Sequence, residues 1–166
     1  MGTTPLIPVE EYLATAYSPD QEYVEGVLVE RKVGDWLHGT VQSNLIFTLR
    51  SRYPRLKVIP ELRSQIATNR YRLPDVAVTL AAPAGLILTE APYIAIEILS
   101  KDDSMSAVLE KLAEYAAIGT PNIWLFDPRL QRMYTYRTGV LEEVPGETIA
   151  TSDGAVALPR AEIFAE

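Results

Sequence analysis

The sequence has no cysteine, which excludes a disulfide framework and a thiolate zinc site. It has a single histidine, His38, so a centre built from several imidazoles is excluded as well. Any resident metal must then rest on oxygen donors, which favours Mg²⁺, Mn²⁺ or Ca²⁺. Long hydrophobic runs are missing too, since no stretch approaches the roughly 18 consecutive apolar residues of a membrane helix. The start, MGTTPLIPVEEYL, lacks the basic residues and apolar run of a signal peptide. Leu6 stands where a myristoylation signal on Gly2 would need Ser or Thr. The expected location is the cytoplasm, with no membrane partner. No repeat, low-complexity tract or linker divides the chain, so one domain over 1–166 is expected.

What is present is a core-forming composition, 48% hydrophobic, with an uneven charge. The net charge of −7 argues against nucleic acid as a partner. Its distribution argues the other way. Residues 1–30 hold six acids and no Lys or Arg, whereas 31–72 hold nine of the 15 Lys and Arg and only two acids, Asp35 and Glu61. A local basic face of this kind can steer a polyanion even in an acidic protein. The alternative is that these charges are scattered over a solvated surface.

Periodicity gives a coarse outline. Glu10 to Ala16 reads as a short helix, and Tyr23 to Val29 as a hairpin around Glu25-Gly26. Leu37 to Arg52 reads as an amphipathic helix on Val41, Leu45 and Leu49, with Pro54 beyond its end. Strands are expected at Leu56 to Ile59 and, through a turn at Thr68-Asn69, from Gln65-Ile66 into Tyr71 to Leu80. YIAIEIL (93–99) is the most strand-like run. A helix from Ser104 to Ile118 follows, with Asp103 or Ser104 as N-cap, Gly119 as its stop and an apolar stripe of Met105, Val108, Leu109, Leu112 and Ala116. NIWLF (122–126) is a further buried strand, and a terminal hairpin joins 132–137 to 140–144. The order helix, three strands, helix, strand predicts an α/β domain with α+β character: a mixed central sheet flanked by helices, with a right-handed parallel crossover between YIAIEIL and NIWLF. Trp36 and Trp124 read as packing residues and not as a base-stacking platform.

Two acids stand out against this outline. Glu97 lies inside the strongest apolar strand and shares a face with Ala95, because side chains alternate along a strand. Asp75 follows Leu73-Pro74 and shares a face with Ala77. A buried, unpaired carboxylate costs several kcal/mol or shifts its pKa, so a bound cation or a basic side chain must compensate each acid. Two such acids on neighbouring strands repel one another unless a cation or proton sits between them. Lys111 and Tyr115, one helical turn apart along the border of the second helix's apolar stripe, complete the set. The long lysine side chain can bring its ammonium to the sheet edge, either to neutralise Glu97 or to orient a water and stabilise phosphoryl charge. A buried Asp–Lys–Glu cluster without chemistry is the bland alternative.

LPDVAV, IAIEILS, the helix with Lys111 and Tyr115, and GTPNIWLFDP, in that order, resemble the Uma family of endonucleases, of the restriction-endonuclease-like PD-(D/E)xK superfamily. QEYVEGVLVE, which contains Glu25, is similar to the family's Glu-rich hairpin. His38 is similar to its lone histidine, and LPRAEIF to its C-terminal segment. The resemblance implies a restriction-endonuclease-like core and phosphodiester hydrolysis with Mg²⁺ or Mn²⁺. In that reading Asp75 and Glu97 hold the metal, Lys111 assists the water, and the partner is nucleic acid, first of all DNA. His38, Glu61, Tyr115 and Glu25 are supporting candidates: His38 either structural or phosphate-contacting, Glu61 either an added carboxylate or a surface partner of Arg63. In the wider superfamily the lysine lies two residues after the strand acid. Leu99 stands there in this chain, and Lys101 in the following loop is a weaker substitute. Two other classes are open: a non-catalytic binding module of the same fold, favoured by the negative charge, and a glycosidase, disfavoured because it needs a cleft with carboxylates ~5–9.5 Å apart and sugar-stacking aromatics. The terminal hairpin near Tyr134 and Tyr136 is the candidate contact for a homodimer.

Overall fold

A computed structural model describes residues 5–166. The elements in chain order are α1 (Val9–Ala14), β1 (Glu22–Val24), β2 (Val27–Val29), α2 (Trp36–Arg52), β3 (Lys57–Pro60), β4 (Ser64–Ala67), β5 (Arg70–Arg72), β6 (Val76–Thr79), β7 (Ile94–Ile98), α3 (Met105–Ala117), β8 (Asn122–Asp127), β9 (Arg132–Arg137), β10 (Val140–Glu143), β11 (Thr148–Ala150), β12 (Ala157–Pro159) and α4 (Arg160–Ile163). No helix among the described residues is long and apolar enough to cross a membrane.

The central sheet has six strands in the order β10-β9-β8-β7-β6-β3. β7 and β8 run parallel, joined by α3, and the other neighbours are antiparallel. This is the expected mixed sheet with one crossover. α2 covers one face: Val41, Leu45 and Leu49 pack with Val76, Val78, Ile94, Ile96, Trp124 and Phe126. α3 covers the other: Val108, Leu112 and Tyr115 pack on Ala95, Ile123 and Leu125. Alternation along β7 sends isoleucines to α2 and Ala95 and Glu97 to α3.

The expected strand from Tyr71 to Leu80 is divided. Its first part, β5, belongs to a second, four-stranded sheet ordered β2-β1-β5-β4, and only β6 joins the central sheet. Pro74 lies at the break, where the missing N–H prevents a continuous ladder. Asp75 therefore sits in the link just before β6 and not within a strand. The hairpin around Glu25-Gly26 forms as expected, both turn residues having positive φ (50° and 91°), the geometry of a tight two-residue connection.

Two further expectations are corrected. Trp36 is 81% exposed at the start of α2, while Trp124 is buried as expected. The first turn of a helix on a one-sided core can project a side chain outward, and α2 turns only its Val41, Leu45 and Leu49 stripe to the sheet. On α3 the buried line is Val108, Leu112 and Tyr115. Met105 is 47% exposed and Ala116 is also exposed, so the helix is rotated toward its Lys111–Tyr115 border. The Tyr115 ring buries more area than Ala116 could, and its hydroxyl has a partner in the sheet. The terminal hairpin does lie at the edge of the central sheet, with β10 outermost and Tyr134 and Tyr136 of β9 partly buried against the α3-side core.

Candidate active site

Asp75 and Glu97 come from neighbouring segments of the central sheet. β6 and β7 pair with Val76 opposite Ile96 and Ala77 opposite Ala95. Asp75 stands one residue before that register, with its carboxylate against the Ile98 N–H of β7 and His38 at the start of α2, while Glu97 meets Tyr115 of α3. Both are buried, at 4% and 7% exposure.

Two hydrogen bonds and a third basic group hold Asp75. The Ile98 N–H donates to Oδ2 at 2.7 Å, Arg31 Nη2 donates to Oδ1 at 2.8 Å, and His38 Nε2 lies 3.3 Å from Oδ1. His38 owes its place to the start of α2, where Asp35 caps the helix by accepting the His38 backbone N–H at 3.0 Å. Gly34 leaves room for the ring, since a Cβ there would stand 2.9 Å from Nδ1. Burial alone would lower the His38 pKa. The hydrogen bond and charge of Asp75 outweigh it and hold the imidazole above its ordinary value.

Glu97 is less saturated. The Tyr115 hydroxyl donates to Oε1 at 2.7 Å, while Oε2 stands 3.9 Å from Lys111 Nζ, beyond hydrogen-bond reach. Burial pushes its pKa up to about 7; the Lys111 ammonium opposes this, and the charges of Asp75 and Glu22 add to it. Lys111 itself stays cationic: burial disfavours its charge, but Glu97 and Glu22 together more than restore it.

The supporting candidates divide. Tyr115 and His38 meet the two acids directly. Glu61 reaches the site through a bridging guanidinium, with Arg31 Nη1 3.1 Å from its Oε1. It does not pair with Arg63, which instead holds Asp20 and accepting carbonyls of Tyr12 and Thr15. Glu25 is not brought to the pair of acids; it is mostly exposed and pairs with Arg70 at 3.0 Å. Lys101 is exposed in the loop after β7.

Sequence reasoning missed Glu22, Arg31, Arg72 and Glu114. Glu22, 1% exposed, forms an ion pair with Lys111 Nζ at 2.9 Å and accepts from Arg72 Nη1 at 3.0 Å and the Leu73 N–H at 3.3 Å. Arg72 also donates to Glu114 through Nε at 2.6 Å and Nη2 at 2.9 Å, which ties the small sheet to α3. The available signal was Arg72 itself, a charge set between Tyr71 and Leu73 that needs acid partners once buried.

The donors fit a hard divalent ion held by two carboxylates. Glu97 Oε2 accepts no hydrogen bond among the described residues and the Asp75 carboxylate accepts two, so each could still offer a position to a cation. Mg²⁺ takes one or two carboxylates and keeps several waters. Among the described residues there is no cluster of three or more acidic or histidine side chains in metal-holding geometry.

A mixed sheet sandwiched by α2 and α3, with an acid pair at its middle strands, defines a restriction-endonuclease-like fold. The chain belongs to the Uma2 family, described as "Putative restriction endonuclease", whose model matches residues 9–159. A solved structure of a putative nuclease belonging to DUF820, from Anabaena variabilis ATCC 29413, is similar over 96% of this chain and 98% of its own, with a TM-score of 0.81 and 24% identity. A DrdV–DNA complex is a more distant likeness, with a TM-score of 0.37 and 13% identity over 65% of this chain and 12% of its own, and carries no argument. No curated protein matches.

Proposed function

We propose that this protein is a metal-dependent nuclease that hydrolyses phosphodiester bonds of nucleic acid, DNA in the first instance. The observation that supports the reading is that Asp75 accepts the Ile98 N–H beside Glu97 at 2.7 Å while Lys111 Nζ lies 3.9 Å from Glu97 Oε2. Asp75 and Glu97 would hold Mg²⁺ or Mn²⁺. The bound ion supplies polarisation of the phosphoryl oxygen and a more acidic water. Lys111, cationic and a short step from Glu97, stabilises negative charge developing on the phosphoryl group and orients the attacking water. Tyr115 fixes the Glu97 carboxylate from the helix side, and Arg31 and His38 fix Asp75 from the other. The lysine comes from α3, while Leu99 occupies the strand position that would otherwise supply it.

The test is cleavage of single- and double-stranded DNA and RNA with Mg²⁺ or Mn²⁺. The reading expects activity lost with EDTA and lost in Asp75→Asn; cleavage unchanged in that variant would sink it.

One observation favours a non-catalytic nucleic-acid or protein-binding module instead. Arg31 and His38 already compensate the Asp75 charge without any metal. That reading expects no cleavage and a melting temperature indifferent to Mn²⁺. In either case a homodimer would meet at β10, the open edge of the central sheet, and sedimentation would detect it.

A further inference from the structure

We propose that Glu22 is a positioning residue of this site: it holds the Lys111 amine off Glu97 and so keeps a Glu97 oxygen open to a cation. The inference rests on the metal-binding reading of Asp75 and Glu97.

Glu22 cannot swing. Its two oxygens are tied by Arg72 and the Leu73 N–H in the small sheet and by Lys111 on α3, and the residue is almost wholly buried. Lys111 has a choice of two carboxylates. Its Nζ lies 2.9 Å from Glu22 Oε1 and 3.9 Å from Glu97 Oε2. The first is a close ion pair and the second stands a full ångström longer, outside the usual 2.7–3.2 Å of an N–H···O contact.

A buried ammonium seeks the nearest anion. With Glu22 neutral, the amine would close on Glu97, form an ordinary salt bridge there and block the oxygen a metal would use. Glu22 does not act as a ligand in this arrangement, since Oε1 already accepts two donors and Oε2 the buried guanidinium of Arg72. The small sheet therefore does more than extend the fold. β1 supplies the acid that sets the lysine's distance, and β5 supplies the arginine that fixes the acid.

The experiment measures Mn²⁺ affinity by calorimetry in wild type, E22Q, K111M and E22Q/K111M, with folding checked by circular dichroism. E22Q is expected to weaken Mn²⁺ by roughly 10- to 100-fold, the range for residues that orient metal ligands. E22Q/K111M is expected to bind like K111M, because without the amine there is nothing to hold away. Unchanged affinity in E22Q overturns the proposal, and so does a loss that persists in E22Q/K111M, which would make Glu22 a ligand. A metal-free readout decides independently: in ¹⁵N-lysine spectra the protected Lys111 ammonium signal should vanish in E22Q and survive in E97Q. The reverse pattern overturns the proposal whatever the metal results show. Should E22Q fail to fold, K111M alone must bind Mn²⁺ at least as tightly as wild type, and weaker binding overturns the proposal. The underlying reading fails separately, if D75N leaves Mn²⁺ affinity unchanged.

Discussion

Asp75 is locked to the strand that carries Glu97: its Oδ2 accepts the Ile98 N–H at 2.7 Å, while Arg31 and His38 take Oδ1. The acid is thus part of the architecture and of the site at once, and two substitutions separate the roles. In Asp75→Asn the amide oxygen still accepts from Ile98, so the fold should survive while metal affinity and cleavage are lost. In Asp75→Ala a buried N–H is left unpaired and Arg31 loses its closest anion. An orphaned buried donor costs about 1–3 kcal/mol. Urea denaturation should therefore rank wild type, Asn and Ala in falling stability, with both variants inactive.

Glu97 makes the metal-free protein sensitive to pH in an unusual direction. Burial raises its folded pKa to about 7 against an ordinary value of 4.5. Between those values the folded state keeps a proton that the unfolded state has released, so this group's contribution to stability falls as pH rises. In EDTA, denaturation midpoints of wild type should drop between pH 5 and pH 8 relative to Glu97→Gln, whose amide cannot ionise and can still accept the Tyr115 hydroxyl. A divalent ion should reverse the trend, since it favours the ionised carboxylate. A parallel pH dependence in the two proteins would refute this.

The alternation in YIAIEIL and the Val41, Leu45, Leu49 stripe were enough to set out the central sheet and α2, because each encodes a buried face directly. Asp75 and Glu97 were legible for the same reason: charges inside apolar runs need partners. What the partners are was not legible. Arg31 reaches Asp75 across 44 positions and Arg72 reaches Glu22 across 50, and no local pattern encodes such pairings. The division of 71–80 into two sheets hung on Pro74 alone. The basic block also changes meaning in three dimensions. Arg31, Arg52, Arg63, Arg70 and Arg72 are all paired with carboxylates. Lys32, Arg50, Arg55 and Lys57 form no ion pair among the described residues. Four of the nine bases are drawn into ion pairs within the fold, and five, including the half-exposed Arg52, stay at the surface.

Arg72 joins the small sheet to α3 through Glu22 and Glu114, and its side chain is 6% exposed. Removing one member of a buried ion network leaves its acids uncompensated, at a cost of about 3–5 kcal/mol. Arg72→Met should therefore destabilise far more than Arg52→Met, whose pair with Glu162 is nearly half exposed and belongs to a class worth about 0–1 kcal/mol. Glu114 adds a pH signature. Although burial opposes it, the hydrogen bonds and charges of Arg72 and Arg70 hold its pKa below the ordinary value. Its contribution is present above the unfolded pKa and is lost as pH falls through the folded one, so Glu114→Gln should flatten the acid limb of the stability profile.

The two tryptophans provide a matched pair for testing the packing. Trp124 is 1% exposed in β8, set edge-on to Phe126 with ring centroids 6.4 Å apart, in the core beneath α2. Trp36 projects from the first turn of α2 and is 81% exposed. Truncating a buried Trp costs about 3–5 kcal/mol, through lost transfer energy and the cavity left behind. Surface substitutions away from special features stay within about ±0.5 kcal/mol. Trp124→Ala should accordingly lower the urea midpoint strongly or abolish folding, whereas Trp36→Ala should leave it unmoved. Intrinsic fluorescence gives a second check, because only Trp36 is open to an aqueous quencher such as acrylamide. Trp36→Ala should thus remove most of the readily quenched emission, and a Trp36→Ala protein that lost stability like Trp124→Ala would show that the start of α2 is packed against something.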